Sequence, residues 1–428
     1  MKKIILKNCR VLTMKDEKNE ILENVDILIK NDIIYDIGMA LSDKEAVKYN
    51  MKGKIVMPGL INCHTHIPMS IFRETLEGYT LQEWLENKIW PAEKNMHNED
   101  IYNSTLASCI EMIKSGTTTF NDMYFNTIAV CSAVKEAKLR CISSHHLMDI
   151  DGHGEEHIEN SIKTIKKFKN NKNISFAIGL HGFYTSSPKY IEEVKKLNKN
   201  LKLPIHMHFC ENKKEVKDIK EAYKVTSPVE LLNRHFKKDK LILAHCVSLS
   251  KKEIEEISKL DASIVYNPVS NLKLGCGFAN INYMLKNNIN VCLGTDGQGS
   301  GSNLDMFDVM KFTALINKGV EENPSILSAK EVLKMATING AKALGLDNKI
   351  GSIEIGKKAD LIVLDLENIF TQPNNNIYSQ IVYNTNRENV YMTIVNGEIL
   401  YIKNKYLILK DEKEIINKNI EIIKRIMS

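Results

Sequence analysis

Histidines and one aspartate recur at the ends of short apolar runs in this 428-residue chain. His64 and His66 follow the first run, and His208 ends a later one. Residues two apart in a strand point to the same side, so His64 and His66 can bind one ion together. Asp296, just after the last run, adds a carboxylate to these three imidazoles. This donor set predicts one divalent metal, preferably zinc, with iron or manganese also compatible.

Other polar residues have similar positions in the sequence. His181 and His245 lie at the ends of two further apolar runs, and Glu211 lies three residues beyond His208. His206 precedes His208 by two residues, so either could be the ligand. Glu211 favours His208, because it can reach the same pocket from the following loop. The remaining polar segments predict surface histidines at His97, His153, His157 and His235.

The elements that position these residues are short apolar runs, each followed by a segment of helical periodicity. The runs span residues 55–61, 117–121, 140–144, 174–180, 204–208, 241–245, 263–266 and 291–294. Eight strands alternating with helices predict an α/β fold with a parallel (β/α)8 barrel, whose chemistry lies at the carboxyl ends of the strands. A doubly wound sheet would also alternate, but no GxGxxG motif follows the first strand.

The two ends of the chain have a different texture. Asn31-Asp32 and Asn396-Gly397 each separate two β-like runs, and Asn-Gly is a strong hairpin signal. The β-like runs span residues 25–30, 33–37, 359–364, 390–395 and 398–402. We predict a small β-sandwich built from both termini, residues 1–55 and 349–428, with the barrel inserted as residues 56–348.

The last eighteen residues, from Asp411, place isoleucines on one face of a predicted helix. We expect this helix to pack against the β domain. A homo-oligomer contact is the alternative.

Composition and charge exclude several classes of protein. Hydrophobic residues make up 43% and charged residues 26%, as in globular proteins. The net charge is only +5 and the lysines are scattered, which argues against nucleic-acid binding. No apolar run predicts a membrane span or a signal peptide. Nine cysteines without a CxxC motif predict reduced thiols, so we expect a cytoplasmic protein acting on a small molecule.

Several segments resemble a known family. Residues 58–66, Pro-Gly-Leu-Ile-Asn-Cys-His-Thr-His, resemble the opening metal motif of the amidohydrolase superfamily. Within it, the chain is similar to the methylthioadenosine/S-adenosylhomocysteine deaminases and their chlorohydrolase relatives. Further matches cover residues 89–93, 115–119, 267–274, 293–297 and 351–363. The resemblance covers nearly the whole chain, and the segments around Glu93 and Asn271 are the more specific to this branch.

The resemblance implies an inserted (β/α)8 barrel and a terminal β-sandwich. It also implies one divalent metal on His64, His66, His208 and Asp296. Binuclear members need a lysine at the end of strand four, but residues 174–183 contain none and offer His181 instead. The resemblance therefore favours a single metal over the site of the cyclic-amide hydrolases.

The activity implied is hydrolytic deamination of an adenosine-type nucleoside modified at the 5′ position. Asp296 would accept the proton of the attacking water, His245 would hydrogen-bond it, and Glu211 would protonate a ring nitrogen. Glu93 would bind the ribose hydroxyls and His181 would contact the substrate. The alternatives are a guanine deaminase or triazine chlorohydrolase of the same superfamily, and a non-catalytic binding barrel. The last is disfavoured because the ligands and the proton donor are all present.

One position departs from the family pattern. Related deaminases carry an arginine after strand three, near the tail of the substrate, where this chain has His145. Arginine is always charged and grips a carboxylate through two hydrogen bonds, whereas histidine is mostly neutral above pH 7. We therefore predict a preference for uncharged 5′ substituents over the carboxylate tail of S-adenosylhomocysteine. Arg73, after strand one, is the alternative contact for such a tail.

Overall fold

The computed structural model describes residues 2–15, 21–75, 77–407 and 412–427, whose strands form two sheets. In chain order these are β1 (Lys3–Leu12), β2 (Ile21–Lys30), β3 (Ile33–Gly38), β4 (Val47–Asn50), β5 (Lys54–Pro58), β6 (Leu60–Thr65), β7 (Thr117–Tyr124), β8 (Arg140–Leu147), β9 (Ile174–Phe176), β10 (Ile178–Leu180), β11 (Ile205–Phe209), β12 (Leu241–His245), β13 (Ala262–Tyr266), β14 (Asn290–Leu293), β15 (Leu361–Asp365), β16 (Val390–Val395), β17 (Glu398–Ile402) and β18 (Lys405–Tyr406).

The terminal sheet combines both ends of the chain, in the order β18-β17-β16-β15-β5-β1-β2-β3, with β4 beside β1. The two predicted hairpins are confirmed as the antiparallel pairs β2–β3 and β16–β17. Asn396 and Gly397 have φ of 49° and 69°, the left-handed conformation that a tight hairpin turn requires. Buried side chains such as Val56, Leu361 and Ile394 form a core separate from that of the barrel.

The second sheet is the predicted parallel barrel, in the order β14-β13-β12-β11-β10-β8-β7-β6. The fourth of the eight units is split at Ala177 into β9 and β10. The Asp296 amide donates to the His64 carbonyl at 3.0 Å, which joins the last unit to the first. The predicted fold class, a (β/α)8 barrel inserted in a β domain made from both termini, is confirmed.

The prediction that residues 55–61 form the first barrel strand is wrong. Gly59 separates β5, which belongs to the terminal sheet, from β6, which begins the barrel. A Cβ at Gly59 would lie 2.1 Å from Thr118 Oγ1, so only glycine permits the close approach at this switch. Both strands are buried, so the apolar run continues through the change of sheet without a break.

Most of the longer helices connect successive barrel strands. They are α1 (Leu81–Trp84), α2 (Trp90–Glu93), α3 (Asn98–Lys114), α4 (Thr127–Ala137), α5 (Gly154–Phe168), α6 (Pro188–Leu201), α7 (Lys213–Tyr223), α8 (Val229–Phe236), α9 (Lys251–Ile257), α10 (Pro268–Lys273), α11 (Ile281–Lys286), α12 (Gln298–Gly301), α13 (Met306–Val320), α14 (Ala329–Met335), α15 (Ile338–Ala343), α16 (Ile377–Ser379) and α17 (Glu412–Ile426). Short 3₁₀ turns span Ile67–Phe72, Phe183–Thr185 and Arg387–Asn389, and π turns span Leu85–Ile89 and Gln380–Asn384.

The C-terminal helix α17 packs on the barrel, so the expected contact with the β domain is wrong. Arg425 forms an ion pair with Asp100 of α3, and Asn419 donates to Ser70 at 3.2 Å. The buried face of α17 carries Ile415, Ile422 and Ile426. Periodicity predicted the apolar face but could not show that α3 offers a matching acidic partner. Asp411, where we placed the helix start, lies outside the described residues.

The sequence predicted reduced thiols and no membrane span, and the structure describes the cysteines and helices concerned. All nine cysteines are free thiols, and eight of them are buried. Among the described residues, no helix combines the length and apolar character needed to cross a membrane.

Candidate metal centre and substrate cavity

The structure brings the four predicted ligands together at the carboxyl end of the barrel. His66 Nε2 lies 3.2 Å from Asp296 Oδ1, and His64 Nε2 lies 3.5 Å from the same oxygen. His208 Nε2 lies 3.2 Å from His66 Nε2. His64, His66 and His208 each offer one ring nitrogen, and these three nitrogens lie within 4.8 Å of one another. His208 and Asp296, which are far away in sequence, thus join His64 and His66 because β6, β11 and β14 end on the same side of the barrel.

The hydrogen bonds of the histidines turn their free nitrogens toward this cluster. His66 Nδ1 donates to the Met123 carbonyl at 2.6 Å, and His208 Nδ1 donates to the His181 carbonyl at 2.7 Å. A carbonyl oxygen can only accept, so each Nδ1 carries the ring proton and each Nε2 presents a lone pair. His64 Nε2 is buried without a hydrogen-bond partner among the described residues. These orphaned, converging lone pairs beside a carboxylate fit a divalent metal ion.

His206, the alternative to His208, lies behind the cluster. Its Nε2 is 2.8 Å from His64 Nδ1, and its Nδ1 is 3.2 Å from Ser144 Oγ. His206 is completely buried. It therefore contacts the outer nitrogen of His64, a supporting role that the sequence analysis missed. Because His206 and His208 are two residues apart, they share one face of β11, and the spacing alone does not assign either of them to the metal.

Asp296 is fixed by contacts on both carboxylate oxygens. Its Oδ2 accepts from Ser270 Oγ at 2.6 Å and from Ser300 Oγ at 2.7 Å. Its Oδ1, which faces the histidines, also accepts the Gly297 amide at 2.9 Å. The two serines were not predicted, because neither belongs to a strand end.

His245 ends β12 and completes a second group within 4.8 Å with His64 and Asp296. The amide nitrogen of Asn271 lies 2.8 Å from His245 Nδ1. With Asn271 donating there, the ring proton of His245 is on Nε2, which is buried and has no hydrogen-bond partner among the described residues. His245 can therefore donate to a bound molecule.

Glu211 follows β11 and is buried beside His245, with Oε1 3.6 Å from His245 Nδ1. Burial raises the pKa of Glu211 well above its usual value, and the nearby Asp296 and Glu215 add to this effect. A raised pKa favours the protonated form of a carboxyl group, which can then act as an acid.

One cavity brings these residues together with the substrate contacts that we predicted. His181, His208, Glu211, His245 and Asp296 line it, together with apolar side chains that include Trp84 and Trp90. Glu93 lies at its edge, where its Oε1 accepts from the Tyr124 hydroxyl at 2.6 Å. Burial raises the pKa of Glu93 to about 7.

His145 does not line this cavity but faces an adjoining one of about 770 Å³. The two cavities share Trp90, Glu93, His146 and Met148. His145 Nδ1 lies 3.1 Å from Thr127 Oγ1, and burial lowers the pKa of His145 to about 3.

The expected surface position of His157 is wrong. Its Nδ1 lies 3.4 Å from His145 Nε2, and its Nε2 lies 2.8 Å from Asp151 Oδ2. The polar first turns of α5 suggested exposure, but they form one wall of the adjoining cavity. His235 is also largely covered and hydrogen-bonded to Glu192 at 3.0 Å, whereas His97 and His153 are exposed as expected.

Arg73, the alternative contact for a charged tail, lines neither cavity. Its Nη2 donates to Glu111 at 2.7 Å on another part of the surface.

Comparison with known proteins identifies the family to which the chain belongs. The chain matches the amidohydrolase family over residues 55–400. It is 40% identical over 407 residues to a 5-methylthioadenosine/S-adenosylhomocysteine deaminase of Caldanaerobacter subterraneus subsp. tengcongensis, covering 94% of this chain and 93% of the relative. It is also 40% identical over 397 residues to a 5′-deoxyadenosine deaminase of Methanocaldococcus jannaschii, covering 91% and 93%.

A solved structure gives the same picture. The crystal structure of an adenosine deaminase from Xanthomonas campestris, with bound zinc, superposes with a TM-score of 0.94 at 28% identity, over 99% of this chain and 98% of that one. The resemblance seen in the motifs is thus confirmed. By its sequence, its fold and its cluster of histidines and aspartate, the chain belongs to the amidohydrolase family of metal-dependent hydrolases.

Proposed function

We propose that this protein deaminates adenosine-type nucleosides modified at the 5′ position, giving the inosine analogue and ammonia. The observation that carries the proposal is the buried Glu211, whose pKa is raised by burial, beside the cluster of histidines and aspartate in one cavity. Relatives at about 40% identity are named as deaminases of such nucleosides.

In the proposal, His64, His66, His208 and Asp296 hold one zinc ion. Such an ion lowers the pKa of a bound water from 15.7 to about 7 and so supplies hydroxide near neutral pH. The orphaned nitrogen of His64 and the converging lone pairs of His66 and His208 support this assignment.

The chain supplies the proton transfers. Asp296 accepts the proton of the attacking water through Oδ1, the oxygen that faces the histidines. Glu211 gives its proton to the ring nitrogen next to C6, which makes that carbon more electrophilic. His245 donates a hydrogen bond to the attacking oxygen. The proton held by Asp296 then passes to the amino group, which leaves as ammonia. The hydroxyl proton that remains on the C6 oxygen returns to Glu211, so that the adenine ring and water become the hypoxanthine ring and ammonia.

The residues that line the cavity support the proposed substrate contacts. Glu93 lies at its edge, where a carboxylate can accept hydrogen bonds from both ribose hydroxyls. His181, whose Nδ1 is 3.0 Å from Thr185 Oγ1, offers its other face to the nucleoside. Trp84 and Trp90 provide apolar surface against which a purine can stack.

The 5′ substituent would extend past Glu93 into the adjoining cavity. His145 is uncharged there, because its pKa is depressed by burial, and the carboxylate of Asp151 contacts the neighbouring His157. With Arg73 committed to Glu111, the described residues of this cavity provide Lys94 but no arginine, which alone could hold a carboxylate tail through two parallel hydrogen bonds. These features favour 5′-methylthioadenosine, 5′-deoxyadenosine and adenosine over S-adenosylhomocysteine.

The experiment measures ammonia release from a panel of nucleosides and from guanine, and chloride release from chlorotriazines, by the purified, zinc-loaded protein. The proposal predicts turnover of the adenosine-type compounds and none of guanine or chlorotriazines. Turnover of guanine or of a chlorotriazine alone would support the alternative hydrolase, and release from no compound would support a non-catalytic barrel.

A further inference from the structure

Glu215 lies in the first turn of α7 with its carboxylate turned away from solvent and 3% of the residue exposed. One carboxylate oxygen accepts the Cys210 amide at 2.9 Å, and the other accepts the Glu211 amide at 2.6 Å. Among the described residues, Glu215 forms no ion pair with a lysine or an arginine. A buried carboxylate without a cation is costly unless its hydrogen bonds serve a purpose.

The two amides belong to the turn that follows β11. Cys210 has φ of 52°, a left-handed conformation that costs energy for a residue other than glycine. The chain leaves the sheet at this point, so the amides of Cys210 and Glu211 need new acceptors. The Glu215 carboxylate supplies both, and the turn that results directs Glu211 into the cavity.

The carbonyl side of the same turn is also held. The Cys246 amide donates to the Phe209 carbonyl at 2.9 Å, and the Ser248 amide donates to the Cys210 carbonyl at 2.8 Å. Cys246 and Ser248, whose amides are the donors, follow His245 in the chain. The turn is therefore fixed from one side by Glu215 and from the other by the segment that carries His245.

A helix cap does not explain this arrangement. Asn212 caps α7 by accepting the Glu215 amide at 2.8 Å. In a capping box, a glutamate at this position reaches back to the amide of the cap residue itself, as Glu331 does with Ser328 at 2.7 Å. Glu215 instead reaches the two residues before the cap.

We infer that Glu215 is a positioning residue, whose buried carboxylate holds the turn that presents Glu211 to the substrate. The inference rests on the proposed function for its kinetic part, because Glu211 acts there as the proton donor.

The test is Glu215→Gln, with Glu331→Gln as the matched control in a helix cap far from the cavity. Glutamine keeps one acceptor but places an NH₂ group against the second amide. We expect kcat for 5′-methylthioadenosine to fall roughly ten- to a hundredfold, as for loss of one charge-assisted hydrogen bond, with KM and metal content unchanged. The control should retain wild-type kcat.

Two further measurements separate positioning from general stability. In a Glu211→Gln background, the added Glu215→Gln change should lower kcat by less than about threefold, because the two residues act as one unit. Full additivity of the two losses would overturn the inference. Hydrogen exchange should also become faster at the amides of Cys210 and Glu211, and not elsewhere in α7.

Hydrogen exchange also keeps this inference separate from the proposed function. If the wild type released no ammonia from any nucleoside, the proposed function would fail, while exchange at the two amides would still test the turn. If Glu215→Gln does not fold, Glu215→Asp replaces it, since the shorter carboxylate cannot reach both amides. Wild-type kcat or unchanged exchange in the variant that folds would overturn the inference.

Discussion

His206 is a sensitive test of the metal centre, because it contacts the centre only through His64. The predicted change is His206→Leu, which removes the 2.8 Å contact with His64 Nδ1 and leaves the four proposed ligands in place. His64 would then keep a buried Nδ1–H group without an acceptor, and its ring would be free to turn or to change tautomer. We expect weaker metal binding as the direct consequence.

The magnitude follows from this single buried contact. A hydrogen bond of this kind contributes about 1–3 kcal/mol, and each 1.4 kcal/mol is tenfold in affinity. The expected loss of metal affinity is therefore roughly 5- to 100-fold, which agrees with the effect of removing such partners from other metal-binding histidines.

The assay is competition for zinc between the protein and a chelator of known affinity, read by elemental analysis. His206→Gln should recover part of the loss, because its amide oxygen can accept from His64. His235→Leu is the matched control, since it removes an imidazole that contacts Glu192 far from the cavity. Wild-type affinity in a folded His206→Leu protein would refute the reasoning.

The other predictions concern the ligands, the acid and the tail. His66→Ala should abolish bound metal and activity together while the protein stays folded, and elemental analysis of the wild type should give one metal per chain; activity that tracks a second ion would contradict a single-metal site. Glu211→Gln should lower kcat roughly 100- to 10,000-fold with metal content unchanged. The activity that depends on protonated Glu211 is present below its raised pKa and is lost as the pH rises through that pKa. Glu211→Gln should therefore lack this alkaline decrease in kcat. If the variant kept the pH profile of the wild type, another group would be the acid. The wild type should favour 5′-methylthioadenosine over S-adenosylhomocysteine in kcat/KM, and His145→Arg should narrow the difference by roughly ten- to a hundredfold; a wild-type preference for S-adenosylhomocysteine would disprove the role given to the neutral histidine.

The metal centre was predictable because the fold forces distant residues together. His64, His66, His208 and Asp296 lie at strand ends, and the strands of a parallel barrel all end on one face. Recognising alternating strands and helices was therefore enough to place these side chains in one cluster, without any knowledge of their distances.

The supporting contacts were less accessible to sequence analysis. His206 and His208 are both buried on β11, so the pattern of the strand does not show which of them faces the cavity. Ser270 and Ser300 reach Asp296 from the short helices α10 and α12, whose positions no periodicity predicts. In the sequence, Glu215 does not differ from any other acidic residue in the first turn of a helix.

Packing between elements was the other limit. The change of sheet at Gly59 occurs within one apolar run, and hydrophobic patterning does not record which sheet a buried strand joins. The polar start of α5 is typical of a surface helix, yet it covers a cavity and places His157 inside it. The apolar face of α17 was visible, but its partner depends on the three-dimensional position of Asp100.

The central claim is that one metal ion in this cavity supports deamination of an adenosine-type nucleoside. Its most direct test is to titrate zinc into metal-free protein and to measure ammonia released from 5′-methylthioadenosine. We predict that activity rises in proportion to the zinc added, reaches its limit at one equivalent per chain, and yields one ammonia for each nucleoside consumed. Absence of ammonia at every zinc concentration, or activity that begins only after the first equivalent is bound, would contradict the account.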